Sequence, residues 1–491
     1  MLGLTRWYEK PHVRLSRWVA VTLAGAALVA LGVVLARAPL TWCVLLVFGA
    51  LGAFLLLRWP TLGLYGIAFS VPFGSLRELA LGGVTFGASE LLVLATVSAW
   101  LLRMLATRQL RVARARTLWG LLCYVAVLAI GLLPAQQLTP ALKELAKWVE
   151  FALVYLLVAG ELDERGQRWL VAALLVAGSL EAALGIYQFL FQVGPEGFVL
   201  FGRYMRAYGT FQQPNPFGGY LGLLLPLGYA VALTQAGPAW RAWRKRDRAP
   251  GLLWLLGLAS SVVMATALVM SWSRGALVGL AAGAALALLA LGRRAWVGVT
   301  VVAVLALLLA PALTGSLPGD LLERLTGSLS LSAARELGAV EVDDANFATI
   351  ERLAHWQAAW RMFERQPWLG VGTGQYAVAY PEVALPRWQD PLGHAHNYYL
   401  NVLAENGLLG LAGYALFVLL ALVSTWRRTR CAWGWQRTLA VAALGTLGHL
   451  LVHSLVDNLY VHEMYLLVAV VLGLATRPAA GSPMKVKHEI A

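Results

Sequence analysis

The sequence predicts an all-α fold, a polytopic transmembrane helical bundle of about 14 spans with one large extracytoplasmic loop domain containing short helices. Three observations predict it. Of 491 residues, 59% are hydrophobic and 13% charged, a balance that a water-exposed surface does not carry. Apolar runs of roughly 17–25 residues recur from end to end, each able to cross a hydrocarbon core. The basic residues behind the net charge of +14 sit in short clusters between those runs. That placement follows the positive-inside rule and argues against nucleic acid as a partner.

In chain order, the runs lie near 18–36, 40–58, 61–76, 88–106, 117–134, 146–160, 168–191, 216–236, 252–271, 274–292 and 295–313; after a polar interruption come 397–424, 437–456 and 460–476. The first follows a basic leader (Arg6, Lys10, Arg14, Arg17) and is followed at once by another span, so it reads as an uncleaved anchor. The third contains Pro72 and Gly74 and is the weakest. It counts as a span because the basic clusters at 103–116, 241–248, 293–294 and 427–437 share one side only if it crosses. Both termini are then cytoplasmic. The expected organisation is an N-terminal transmembrane bundle over 1–313 (about 11 spans), an external loop domain over 314–396, three further spans over 397–478 and a cytoplasmic tail over 479–491. The loop carries ten acids against six arginines.

Within the loop, Glu351 to Gln366 reads as an amphipathic helix with Leu353, Trp356, Trp360 and Phe363 on one face, stopped by Pro367. The glycine-rich stretch Gly370–Gly374 reads as a turn; no lysine follows it and no strand precedes it, as a phosphate loop requires. Cys43, Cys123 and Cys431 lie in or beside apolar runs, which implies no disulfide framework.

The densest polar constellation joins the loop's end to the next span: His394, His396, Asn397, Tyr398, Tyr399, Asn401, Glu405 and Asn406. Polar groups at membrane depth persist where they line a cavity or face one another, although tyrosines also anchor helices at the interface. An imidazole here is able to take a proton near neutral pH. Arginines expected at the outer surface form a second group. Arg203 and Arg206 precede Gly209–Asn215, and Arg274 sits in the short turn Ser271–Gly275. A guanidinium fork matches phosphate oxygens and stays charged, so such a set suits a lipid diphosphate, against the alternative of snorkelling to headgroups. Arg352 and Arg361 are candidates to join it. His449 and His453 share a helix face, with Asp457 one turn on, a spacing for a metal pair or for a hydrogen-bonded relay; no metal is assigned. Glu90, Glu150 and Glu181 read as lone carboxylates in structural roles or on a proton pathway.

On these residues the chain resembles the O-antigen ligase and O-antigen polymerase family of bacterial membrane glycosyltransferases. The resemblance rests on Arg206 through Asn215, on Ser273-Arg274-Gly275, and on Arg352 through Gly374 leading to His396-Asn397-Tyr398-Tyr399-Leu400 and Glu405 through Gly410. It covers roughly residues 203 to 415. It implies an inner-membrane enzyme with a periplasmic loop and active site, involved in lipopolysaccharide biosynthesis. Such an enzyme moves a glycan from undecaprenyl diphosphate to a sugar hydroxyl of the lipid A core by an inverting, metal-independent mechanism without a cofactor. Arg206, Arg274 and His396 are then catalytic, the arginines gripping the diphosphate and the imidazole acting as base. Arg203, Asn215, Arg352, His394, Asn397 and Tyr398 would bind substrate. The expected partners are the lipid-linked donor, the lipid A core or another glycan acceptor, and membrane lipids. Polymerisation of lipid-linked repeats is the alternative within the family; a lipid-linked glycan flippase is the alternative outside it, disfavoured because neither repeated halves nor broken helices are evident and the polar loop argues against it.

Overall fold

The computed structural model describes residues 39–73, 78–81, 84–108, 115–200, 202–292 and 347–476, with isolated helical positions between 22 and 32. The eleventh expected span, the loop's first part to 346 and the tail lie outside the described residues, as does most of the first span. The chain forms two compact units, 1–59 and 60–491. The first contributes α1 (Leu40–Arg58). The second contains α2 (Thr61–Phe73), the hairpin β1–β2 (Glu78–Leu81, Val84–Gly87), α3 (Ala88–Thr107), α4 (Arg116–Ile130), α5 (Leu138–Glu161) and α6 (Glu164–Leu190). It continues with the hairpin β3–β4 (Val199–Leu200, Tyr204–Met205), α7 (Pro214–Arg244), α8 (Ala249–Met270), α9 (Arg274–Leu291), α10 (Phe347–Arg365), α11 (Tyr376–Ala379), α12 (Tyr398–Cys431), α13 (Gly434–His453) and α14 (Met464–Thr476). Six of the described helices, α3, α6, α7, α8, α9 and α12, are long and apolar enough to cross a membrane. The protein is an all-α, multi-pass membrane protein, and the two hairpins are its described sheets.

The bundle of the second unit is built inside out relative to a soluble protein. Leu94, Leu105, Leu180, Leu252, Val262 and Leu419 stand exposed, as lipid-facing side chains do. At the centre, α14 buries every residue from Met464 to Ala475. The helices after the loop interleave with those before it: α13 packs on α7 and α9, α14 on α5, and α12 on α4.

Chain direction alternates across this unit, and the basic helix ends gather together. Arg116, Arg427 and Arg428 line one cavity, Arg437 donates to the Ala290 carbonyl near the end of α9, and Thr234 and Thr438 bond near the end of α7. The weak third run takes its place in this alternation. Tyr65 near the start of α2 donates to the Gly166 carbonyl at the basic end, while the Pro72 carbonyl accepts from Thr210 at the opposite end.

Two expectations need correcting. The run over 397–424 is not one straight span, because α12 breaks at Gly407, whose φ of 60° and ψ of −156° are not helical. Segment 367–372 docks on the break. Val371 and Gly372 donate to the carbonyls of Ala404 and Glu405, and Leu408 and Leu409 donate to those of Pro367 and Trp368. The backbone groups freed by the break are thereby paired at a depth where water does not pair them. Gly370 and Gly407 both adopt positive φ and a Cβ on either would strike the other strand's backbone, so the glycine-rich stretch is an interlock as well as a turn.

The second correction concerns the loop helix. The buried face of α10 is Ile350, Ala354, His355, Ala358, Ala359 and Met362. Trp360 is exposed and Leu353, Trp356 and Phe363 are half-buried. Small alanines let α10 approach Tyr376, Tyr380 and Ala404 closely, whereas the bulky residues chosen by hydrophobicity turn outward.

Candidate functional site

The end of the bundle opposite the basic clusters collects nearly every polar group the sequence singles out. Its first half is an arginine wall. Gln188 on α6 accepts from the amides of Tyr208 and Gly209 and donates to the Gly209 carbonyl, and Glu181 accepts from the Thr210 amide and hydroxyl. These side chains fix the turn that presents Arg206. The Arg206 Nε donates to the Ser271 carbonyl at 2.9 Å and its Nη2 to Asn215 Oδ1 at 3.0 Å. Asn215 therefore holds an arginine in this structure. Ser271 belongs to the tight turn before α9, where Trp272 has a φ of 54° and Arg274 opens the helix. Arg274 in turn lies within electrostatic reach of Arg352 on α10. Arg352 Nη1 donates to the Ala348 carbonyl at 3.2 Å, and its charge also reaches Asp457. The Arg352 Nε is buried with no hydrogen-bond partner among the described residues.

The second half is a histidine–carboxylate cluster. His396 has a φ of 49°, an uncommon conformation for a non-glycine residue that concentrates at functional sites. Its Nδ1 lies 3.7 Å from Asp457 Oδ1, and neither ring nitrogen has a hydrogen-bond partner among the described residues. Asp457 also accepts the Asn458 amide at 2.8 Å and faces His453 Nε2 at 4.0 Å. His453 continues to His449 at 3.3 Å, both rings fully enclosed in a slot left by glycines of α7 and α9, among them Gly222 and Gly275. Asp457 thus stands between His453 and His396, facing each as an ion-pair neighbour rather than through a hydrogen bond. Burial alone pushes the Asp457 carboxyl up, but His396, His453, His394 and Arg352 outweigh it and hold it well below the usual carboxylate range. His394 and His355 pack at 4.4 and 5.7 Å between ring centroids from His396. Burial, reinforced by His396, pushes His394 down to about 3 and His355 down to about 4, so both are neutral at pH 7.

Other expected residues fall outside this cluster or serve it indirectly. Arg203 is exposed, its guanidinium 5.1 Å from the Tyr204 ring centroid, and Tyr204 stacks on Trp272. Asn397 caps α12 by accepting the Leu400 amide. Tyr398 lies below the site, bonded through its hydroxyl to Tyr124. Arg361 donates to the Val383 carbonyl within the loop. Glu90 accepts the Gly87 amide, and Glu150 accepts the Tyr465 hydroxyl. His394, His396 and Asp457 place one ligand atom each within 4.8 Å of one another, a metal-compatible spacing. His394 Nδ1 already accepts the His396 amide.

A family model described as O-antigen ligase matches residues 259–415. That segment, about a third of the chain, is similar to the O-antigen ligase family. No curated protein matches the chain. The matched segment contains Arg274, Arg352, His394 and His396, whereas Arg206, Asn215 and Asp457 come from outside it. The site thus takes groups from α7, α9, α10, the start of α12 and the α13–α14 connection.

Sequence reasoning missed His355 and the pairing of Asp457 with His396. His355 has no motif around it, and only the alanine face that buries it gives a signal. Asp457 stands 61 positions after His396, and its helical spacing from His453 pointed to its own relay alone.

Proposed function

We propose that the protein is a glycosyltransferase of the ligase type, moving a glycan from undecaprenyl diphosphate to a sugar hydroxyl of the lipid A core at the periplasmic face of the inner membrane. The observation that carries this reading is the pairing of Arg274 and Arg352, two cations in mutual reach, beside an imidazole whose nitrogens are unpartnered and whose neighbour is a carboxylate. In this reading the acceptor oxygen attacks the anomeric carbon from the face opposite the diphosphate. The new C–O bond forms as the bond from the anomeric carbon to the phosphate oxygen breaks, inverting the centre. His396 takes the acceptor proton, and the bonding pair leaves with the lipid diphosphate, stabilised by Arg274, Arg352 and Arg206. A diphosphate leaves without an acid to protonate it, so the site needs one base and several cations rather than two paired carboxylates. Positioned base catalysis contributes roughly 10²–10⁴ in rate. Asp457 stabilises the imidazolium as it forms.

The test is purified protein in lipid, given lipid-linked donor with core lipid or with a second donor repeat. Transfer to core lipid that disappears in His396→Ala supports the reading. Extension of the donor repeat alone assigns the polymerase activity instead. Wild-type transfer unchanged by His396→Ala refutes the assignment of the base, and donor accumulating on the cytosolic leaflet of cells carrying that variant points to a flippase.

A further inference from the structure

Cavities open at both ends of the described bundle, and two of them bear on the site. The larger, about 760 Å³, lies at the basic end among Arg116, Arg427 and Arg428, far from the histidine cluster. The smaller, about 310 Å³, lies against it. His394 lines this smaller cavity while its ring touches that of His396, and Asn458, whose amide bonds Asp457, lines it too. The histidine–carboxylate cluster is therefore a partition, with the arginine wall beyond it and this cavity before it.

The chemistry of the cavity differs from that of the wall. Among the described residues lining it there is no arginine; Glu90, Glu144 and Glu405 contribute three carboxylates against Lys143 and Lys147. Lys147 sits 2.5 Å from Glu144 and neutralises it. With no arginine among these residues and Lys147 taken up by Glu144, the lining offers no cluster of cations to hold a diphosphate, in contrast to the arginine wall. What the lining offers is a ring of side chains able to accept and donate in pairs: Glu144 and Lys147 from α5, the amides Asn401, Asn406 and Asn458, and the aromatic side of Tyr398. Such a set matches a ring bearing several hydroxyls and an apolar face. The volume stands at the small end of ligand sites, roughly 300–1000 Å³, and admits one sugar unit with part of a second.

We propose that this cavity is the acceptor subsite, binding the terminal sugar of the acceptor glycan with its reactive hydroxyl directed past His394 at His396. The proposal rests on the glycosyl-transfer reading, because it assigns the second substrate of that same site. It explains why α12 breaks at Gly407. Segment 398–406, turned by the break, supplies Tyr398, Asn401, Glu405 and Asn406 to one cavity wall. It also sets the acceptor hydroxyl on the side of the anomeric carbon away from the arginine-held diphosphate, as inversion requires.

The experiment reads binding directly, without turnover. Full-length protein in nanodiscs is tested by saturation-transfer NMR against a panel of hexose, heptose and hexosamine methyl glycosides, and separately for undecaprenyl diphosphate binding. Lys143 is exposed, so Lys143→Trp closes the mouth without disturbing the core. Glu144→Gln keeps the shape and removes the charge. The expected result is saturation of at least one glycoside, weakened about tenfold or more in both variants and retained in Arg352→Ala, with diphosphate binding showing the reverse pattern. No glycoside signal, a signal that survives both cavity variants, or loss of diphosphate binding in those variants overturns the proposal. Glycoside binding at the cavity in a protein that transfers no glycan leaves the subsite standing and refutes the proposed function instead.

Discussion

Replacing Asp457 by asparagine removes one charge and almost no volume, and so isolates the part the carboxylate plays at His396. The Asn458 amide bond at 2.8 Å is kept by the amide oxygen. At 3.7 Å separation and an effective dielectric near 20, the attraction between imidazolium and carboxylate is about 4–5 kcal/mol. A proton half transferred in the transition state draws on about half of that, ~2 kcal/mol, or roughly thirtyfold in turnover. The assay is glycan transfer by purified protein across pH 5 to 9. The variant should lose about that factor in kcat with little change in donor KM. A variant with wild-type turnover, or one whose loss lies in donor KM rather than kcat, would falsify the assignment of Asp457 as the partner of His396.

Four further outcomes follow from the same geometry. Arg352→Lys, which keeps the charge but loses the planar fork, should raise donor KM about tenfold, whereas Arg203→Ala, removing an exposed side chain from the Tyr204 face, should change it less than about twofold; steady-state kinetics with varied donor separates them. Gly407→Ala places a Cβ at positive φ against Pro367 and Trp368 and should cost about 1–3 kcal/mol, read as a lowered thermal midpoint in detergent. His394 and His355, held down to about 3 and about 4, titrate below the ordinary histidine value. Protons are therefore taken up preferentially when the loop opens, and stability is lost as pH falls from about 6.5 toward those values. Protection factors across residues 393–397, that is exchange corrected for its intrinsic slowing at lower pH, should fall over that window, and protection that stays constant refutes the burial of these rings. Transfer in the presence of a chelator should proceed at the untreated rate; loss that is restored by one divalent ion would instead assign His394, His396 and Asp457 as ligands.

The helical class, the helix positions and the polar chemistry at the start of α12 were legible because each depends on local pattern: apolar run length, basic clusters and a dense set of histidines and amides. Arg206 and Arg274 were legible as cations at short turns, and Glu181 as a lone carboxylate with a structural role, although its target, the turn at Thr210, and the part played by Gln188 were not, since both contacts are tertiary. The face of α10 was misjudged because side-chain size was taken for burial. Its contacts are made by Ala354, Ala358 and Ala359, which bring the helix close to Tyr376 and Tyr380. Asp457 and His396 are joined by tertiary packing across 61 positions, and no periodicity spans that distance.

The broken helix ties these levels together. A continuous α12 would satisfy its own backbone and leave segment 367–372 without partners, while a break with nothing docked on it would leave amides and carbonyls unpaired at about 1–3 kcal/mol each. The structure shows four cross-bonds in place of the helical ones, and Thr373 adds a hydroxyl bond to the Leu128 carbonyl and another to Asn406 while its amide donates to Gly131. The loop is thus fastened at once to α4 and to both halves of α12. Loop and span are one cooperative unit in this account: shifting segment 367–374 by a single residue misplaces Gly370 against the Glu405 backbone and, with it, the wall of the cavity beside His394. A one-residue insertion at 369 should therefore abolish transfer and weaken glycoside binding together, whereas the same insertion at the exposed Gln389 should leave glycoside binding intact.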